Sequence, residues 1–148
     1  MSSEFEVESL RPLVAAAAAG GTLNAEVDQA LAALEQEINR LAAELKVEHV
    51  GPGVGMADMN AQHVYRLVIR QHEIDVTRHE WSLWVCDALD NCDFRATWPV
   101  TGAGRLRRKQ VTAVVPELVT GYRDAVVAAG KGDTPAGQRL AQIAAVFE

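Results

Sequence analysis

Three stretches of the 148-residue chain, VYRLVIR (64–70), EWSLWVCD (80–87) and CDFRATWPV (92–100), alternate in residue character, and between them they carry three arginines and three tryptophans. Alternation of this kind sends successive side chains to opposite faces of a β-strand. Sorting by position places Tyr65, Leu67, Ile69, Trp81, Leu83, Val85, Phe94, Ala96 and Trp98 on one face. The other face receives Arg66, Val68, Arg70, Ser82, Trp84, Cys86, Arg95 and Thr97. A guanidinium pairs with carboxylate or phosphate through a planar fork, and an indole ring stacks on a base or takes a cation. The second face therefore has the chemistry of a recognition surface, for a partner protein or for single-stranded nucleic acid. Just beyond the third stretch, RLRRK sets Arg105, Arg107, Arg108 and Lys109 behind Gly102 and Gly104, at a helix start suited to an anion. These four residues, with Trp84, Arg66, Arg70 and Arg95, form the candidate binding surface.

The same arginines have a plainer reading. Glu26, Asp28, Glu35, Glu37 and Glu44 lie in the acidic N-terminal part, and helices carrying them can neutralise the arginines within the fold or across a dimer. The Gly-aromatic signature of an RNA-recognition sheet is missing, which weakens the nucleic-acid alternative.

Catalytic chemistry is not legible. The histidines His49, His63, His72 and His79 have no HExxH spacing, and Cys86 and Cys92 do not form a CxxC pair. No metal and no cofactor are expected. His72 and His79, with Glu73, Asp75 and Glu80, read as the solvated end of a hairpin. Cys86 has only Arg95 as a candidate activating cation, so it reads as a buried structural thiol. It falls on the opposite face from Cys92, which argues against a disulfide. The glycines at 51, 53 and 55 resemble a phosphate loop in spacing alone, since a helix precedes them and no capped helix follows. No nucleophile, base and orienting group can be named together, so no catalytic residue is assigned.

The elements that must position this face follow from periodicity and punctuation. Ser9 is a candidate cap for a short helix with Pro12 in its first turn, stopped by Gly20-Gly21. Thr22 or Asn24 then caps a longer helix to about Val47. Its apolar residues Val27, Leu31, Leu34, Ile38, Leu41 and Leu45 form a narrow heptad seam. Such a seam packs either on its own domain or against a second helix, so Leu31, Leu34, Ile38, Leu41 and Leu45 are candidate oligomer-interface residues. The stretch 50–62 (VGPGVGMADMNAQ) reads as a Gly-rich linker. The three alternating stretches make a meander, with Asp90-Asn91 as one turn and with Ile74 and Val76 available to lengthen the first hairpin. Pro116 is expected to break or restart a helix begun at Arg105, and Thr134-Pro135 starts a last helix.

Composition sets the frame. Hydrophobic residues make up 49% and charged residues 23%, an ordinary globular balance. Net charge is −6, with residues 1–60 carrying −7 and residues 61–148 carrying +1, which excludes a polyanion binder acting by bulk charge but leaves room for a local basic face. The acidic start MSSEFEVE lacks a signal peptide's basic region, and the apolar run from Leu13 to Ala19 is too short to span a membrane. A cytoplasmic location is expected.

The fold expected is α+β: an N-terminal helical hairpin or arm over 1–49, a linker over 50–62, and a three-stranded antiparallel meander with C-terminal helices over 63–148, together one compact unit. The function expected is a non-enzymatic, dimeric interaction or adaptor protein that uses the heptad helix and the Arg/Trp face. The alternatives are nucleic-acid binding through that face and RLRRK, and an enzyme or binding protein for a small anionic metabolite.

Overall fold

A computed structural model describes residues 5–55, 65–87 and 95–148. A 3-10 turn (Val7–Leu10) leads into α1 (Arg11–Ala18), followed by α2 (Ala25–Leu45), β1 (His49–Gly53), β2 (Tyr65–Asp75), β3 (Arg78–Asp87) and β4 (Arg95–Pro99). A second 3-10 turn (Val100–Gly102) precedes α3 (Arg105–Ala128) and α4 (Pro135–Val146). The sheet is antiparallel throughout, in the order β1-β2-β3-β4, and the helices gather on one side of it. The α+β architecture holds, with four strands rather than the three read from the sequence.

The additional strand lies where the linker was expected. β1 runs through Gly51, Pro52 and Gly53 and pairs Val50 with Val68. A proline is tolerated there because β1 is an edge strand with one side free of ladder bonds. Gly51 is required by packing, since a Cβ would meet Leu118 Cδ1 at 2.8 Å and the Leu67 carbonyl oxygen at 2.9 Å. The rest of the linker, from 56 onward, lies outside the described residues, as do the turn at Asp90-Asn91 and residues Cys92 and Phe94.

Asn24, not Thr22, caps α2, accepting from the Val27 amide at 2.9 Å. Lys46 ends the helix in the left-handed conformation (φ 54°), and Lys131 Nζ donates to the Leu45 carbonyl at 2.6 Å. Ser9 does not cap α1; its hydroxyl turns back to the Glu6 carbonyl at 2.6 Å. Thr134 does cap α4, accepting from the Gly137 amide at 3.0 Å.

Pro116 neither breaks nor restarts a helix; α3 passes straight through it. A mid-helix proline costs about 3 kcal/mol or more, yet buried residues on both sides, Val111 and Val115 before and Leu118, Val119, Tyr122 and Val126 after, hold the two halves to the same core. Thr112 and Thr120 hydroxyls bond back to the Arg108 and Pro116 carbonyls at 2.8 and 2.9 Å.

One core fills the space between the helices and the inner sheet face, where Leu67, Ile69, Leu83 and Val85 join the buried apolar residues of the helices, with Tyr65, Trp81 and Trp98 at its margin. The heptad seam is part of this core. Leu34, Ile38 and Leu41 are at most 1% exposed, and Leu31 and Leu45 are 2% exposed. α2 is flanked by α1, β3 and α4, so the residues nominated for an oligomer contact pack within their own chain. Their narrow spacing reflects a helix enclosed on several sides rather than a coiled-coil stripe.

Acidic residues of α2 also work internally. Glu37, buried, joins Arg40 at 2.5 Å and Arg139 of α4 at 3.3 Å. Glu35 accepts from the Thr101 amide and hydroxyl at 3.2 and 2.8 Å. Among the described residues, no helix is long and apolar enough to cross a membrane.

Candidate functional site

The outer sheet face is built from the even-numbered residues of β2 and β3. Their register sets Arg66 opposite Cys86, Val68 opposite Trp84 and Arg70 opposite Ser82. Parity therefore places Trp84, Arg66 and Arg70 together. It misplaces β4: a bulge between Val85 and Cys86 in the β3–β4 pairing leaves Trp98 opposite Val85 but sets Ala96 opposite Cys86 and Arg95 opposite Asp87. Ala96 thus joins the outer face, and Arg95 shares the parity of Asp87. A single inserted residue reverses every assignment beyond it.

Much of this face is closed. Val68, His72, Ser82 and Cys86 are buried, and Arg66, Arg70 and Trp84 are half-buried. The Trp84 indole lies along its own strand, with Nε1 donating to Ser82 Oγ at 2.9 Å and the ring 6.2 Å from that of His72. His72 Nε2 donates in turn to the Val68 carbonyl at 3.1 Å. Burial lowers the His72 pKa, and Arg70 adds to the shift, so the ring is neutral at neutral pH. Burial likewise pushes the Cys86 thiol up to about 12, which keeps it protonated and unreactive.

Several candidate arginines have structural tasks. Arg66 Nε donates to the Gly51 carbonyl at 3.1 Å, tying β2 to the β1 edge. Arg107 donates to the Val54 carbonyl at 3.2 Å and to Gln110 at 2.8 Å, and its guanidinium sits 4.5 Å from the Tyr65 ring centre and 5.8 Å from that of Trp98. Arg108 pairs with Asp28 at 3.2 Å and donates to the Ala103 carbonyl at 2.8 Å. Asp28 therefore neutralises an arginine of the basic cluster, while Glu37 and Glu44 pair with Arg40 and not with the sheet arginines. Arg105 and Lys109 remain exposed on the first turns of α3. RLRRK is split between fold and solvent.

Arg70 and Arg95 are arranged differently. Neither has an ion-pair partner among the described residues, and both line a polar hollow of about 430 Å³ together with Gln71, His72, Glu73, His79 and Ala96.

The second feature of this region is main chain. β4 pairs with β3 only from Trp84 to Asp87, and β1 pairs with β2 only as far as Ile69. The β2–β3 hairpin continues beyond both neighbours as a two-stranded ribbon whose tip exposes Val76 at 90%. Thr77 closes the tip by donating its amide and hydroxyl to Asp75 at 2.8 and 2.9 Å, which holds the Asp75 carboxyl below the usual range.

The Leu83 amide donates to Asn39 Oδ1 at 2.8 Å, so it points away from β2. Main-chain groups alternate sides along a strand, hence the amides of Trp81 and His79 also point away from β2, to an edge that no described strand occupies. The sequence starts this strand at Glu80 and marks His79 and Glu80 as a solvated hairpin end; Ile74 and Val76, which lengthen the hairpin, are the signal that the ribbon extends further, but nothing in the pattern marks where β4 stops.

Among the described residues no group of three His, Cys, Asp or Glu side chains is placed to hold a metal. His49, on β1, stacks 6.0 Å from the Tyr122 ring and is packed against Gly121, where a Cβ would lie 3.0 Å from its Nε2. Burial lowers its pKa. The Tyr122 hydroxyl is buried without a hydrogen-bond partner among the described residues, and its pKa is raised by that burial. These are packing features of the β1–α3 contact. No protein-family model matches the chain, and no curated protein and no solved structure shows significant similarity to it.

Proposed function

We propose that this chain is a non-catalytic protein-interaction module that takes an extended segment of a partner protein along the open edge of β3. The observation that supports this most is the length of β3: Arg78 to Ser82 continue the strand past the end of β4, with the His79 and Trp81 amides directed outward. Strand addition draws affinity from main-chain hydrogen bonds and specificity from alternate side chains. Half-buried Trp81 supplies apolar surface beside the edge, while Arg78, His79 and Glu80 supply the charges that discourage indiscriminate pairing.

Two observations favour protein over nucleic acid. The Trp84 ring, the base-stacking candidate, is held by Ser82 and His72. The chain's net charge is −6, and half of the basic RLRRK side chains (Arg107 and Arg108) are engaged within the fold. If the chain dimerises, this edge and not the α2 seam is the surface expected to join two copies.

Affinity capture with the wild type and with His79→Pro tests the reading. Proline at this position removes an outward amide and no bond to β2, so the variant folds. Partners retained by the wild type and lost by His79→Pro support strand addition, and light scattering distinguishes a second copy from a different protein. Equal retention by both would refute it.

A further inference from the structure

We propose that the polar hollow lined by residues of β2, β3 and the start of β4 is a binding site for a small oxyanion, a carboxylate or phosphate group, bound by Arg70 and Arg95. Both arginines line the hollow, and neither has an ion-pair partner among the described residues. That distinguishes them from Arg66, Arg107 and Arg108, each of which has a hydrogen-bond or ion-pair partner within the fold. Arginine is the residue best matched to such groups, because its fork donates two parallel hydrogen bonds to one oxyanion.

The remaining lining fits an anion of low charge. His72 is neutral and already donates to the Val68 carbonyl, so it adds polarity and no charge. Glu73 contributes one carboxylate, directly across the strand pair from His79. The Arg and Glu side chains then sum to a single positive charge, which suits a singly or doubly charged anion better than a polyanion. The volume of about 430 Å³ lies within the range of small-ligand sites, roughly 300–1,000 Å³.

The site stands apart from strand addition. It uses side chains, whereas the β3 edge uses main-chain amides, so either can fail while the other holds. The two also lie close enough for an acidic side chain of a docked segment to be one natural source of the carboxylate, since His79 belongs to both.

Isothermal titration with succinate and with inorganic phosphate, in a buffer free of other oxyanions, tests the proposal on the full chain. Saturable binding of one equivalent is expected, weakened about tenfold or more by Arg70→Gln and by Arg95→Gln, the loss of a charge-assisted contact. Arg11→Gln, on the exposed first turn of α1, serves as the control and is expected to bind as the wild type does. Preference for succinate identifies a carboxylate source, and preference for phosphate a phosphorylated one. The proposal is overturned by no saturable binding of either anion below about 10 mM, by binding that survives both hollow variants, or by equal weakening in Arg11→Gln.

Discussion

Ile38→Ala separates an internal helix from an intermolecular one. Ile38 is fully buried, and its neighbours along the seam, Leu34 and Leu41, are at most 1% exposed, so the site has little freedom to collapse when the side chain shrinks. Removing these methyl groups costs the lost transfer energy plus the cavity left behind, about 2–5 kcal/mol. With roughly 2–4 °C of melting temperature per kcal/mol in a chain of this size, a central cost of ~3.5 kcal/mol lowers Tm by about 7–14 °C. Thermal unfolding is followed by circular dichroism at two protein concentrations a factor of ten apart, with mass from light scattering. The drop is expected to be equal at both concentrations, with no change of mass. A shift below about 2 °C, or a mass that halves in the variant, would refute the packing argument and return the seam to an interface.

Three further outcomes follow from the core. Tyr122→Phe removes a buried hydroxyl without a partner among the described residues and is expected to stabilise the fold or leave it unchanged, since an unsatisfied polar group costs about 1–3 kcal/mol; chemical denaturation that shows a loss above about 1 kcal/mol would reveal a hidden partner. Gly51→Ala brings a Cβ to 2.8 Å from Leu118 and 2.9 Å from the Leu67 carbonyl, so a loss of about 1–3 kcal/mol is expected in the same assay, and an unchanged midpoint would contradict the close approach of β1 to α3. Burial lowers the folded-state pKa of His49 and His72 below 6.5, so the unfolded chain takes up protons first and stability falls as pH drops through about 6.5; His72→Gln is expected to flatten that fall, and an unaltered pH profile would contradict the burial of the ring.

Local rules carried the sequence reading far, and it stopped where tertiary contacts override them. The Thr134 cap, the inward set Leu67, Ile69, Leu83 and Val85, and the grouping of Trp84 with Arg66 and Arg70 follow from side-chain period and capping chemistry alone. β1 is hard to see because Gly51, Pro52 and Gly53 are poor strand formers, and the close approach of Leu118 of α3 explains Gly51. Pro116 signals a break or a restart because its cost is local, while the packing that outweighs it is distant. Arg95 and Ala96 were misassigned by one residue's bulge, which no pattern of hydrophobicity marks. The arginines look equivalent in sequence; their carbonyl, ring and carboxylate partners come from β1, β4 and α2, other elements that no local pattern pairs with them.

The open edge of β3 is tested most directly by amide hydrogen exchange resolved at single residues, in the free chain and in a captured complex. In the free chain the His79 and Trp81 amides are expected to exchange fast while the inward-directed Glu80 and Ser82 amides are protected, and in the complex all four are expected to be slow. Protection of His79 and Trp81 in the free chain, or fast exchange of both in the complex, would contradict strand addition at this edge.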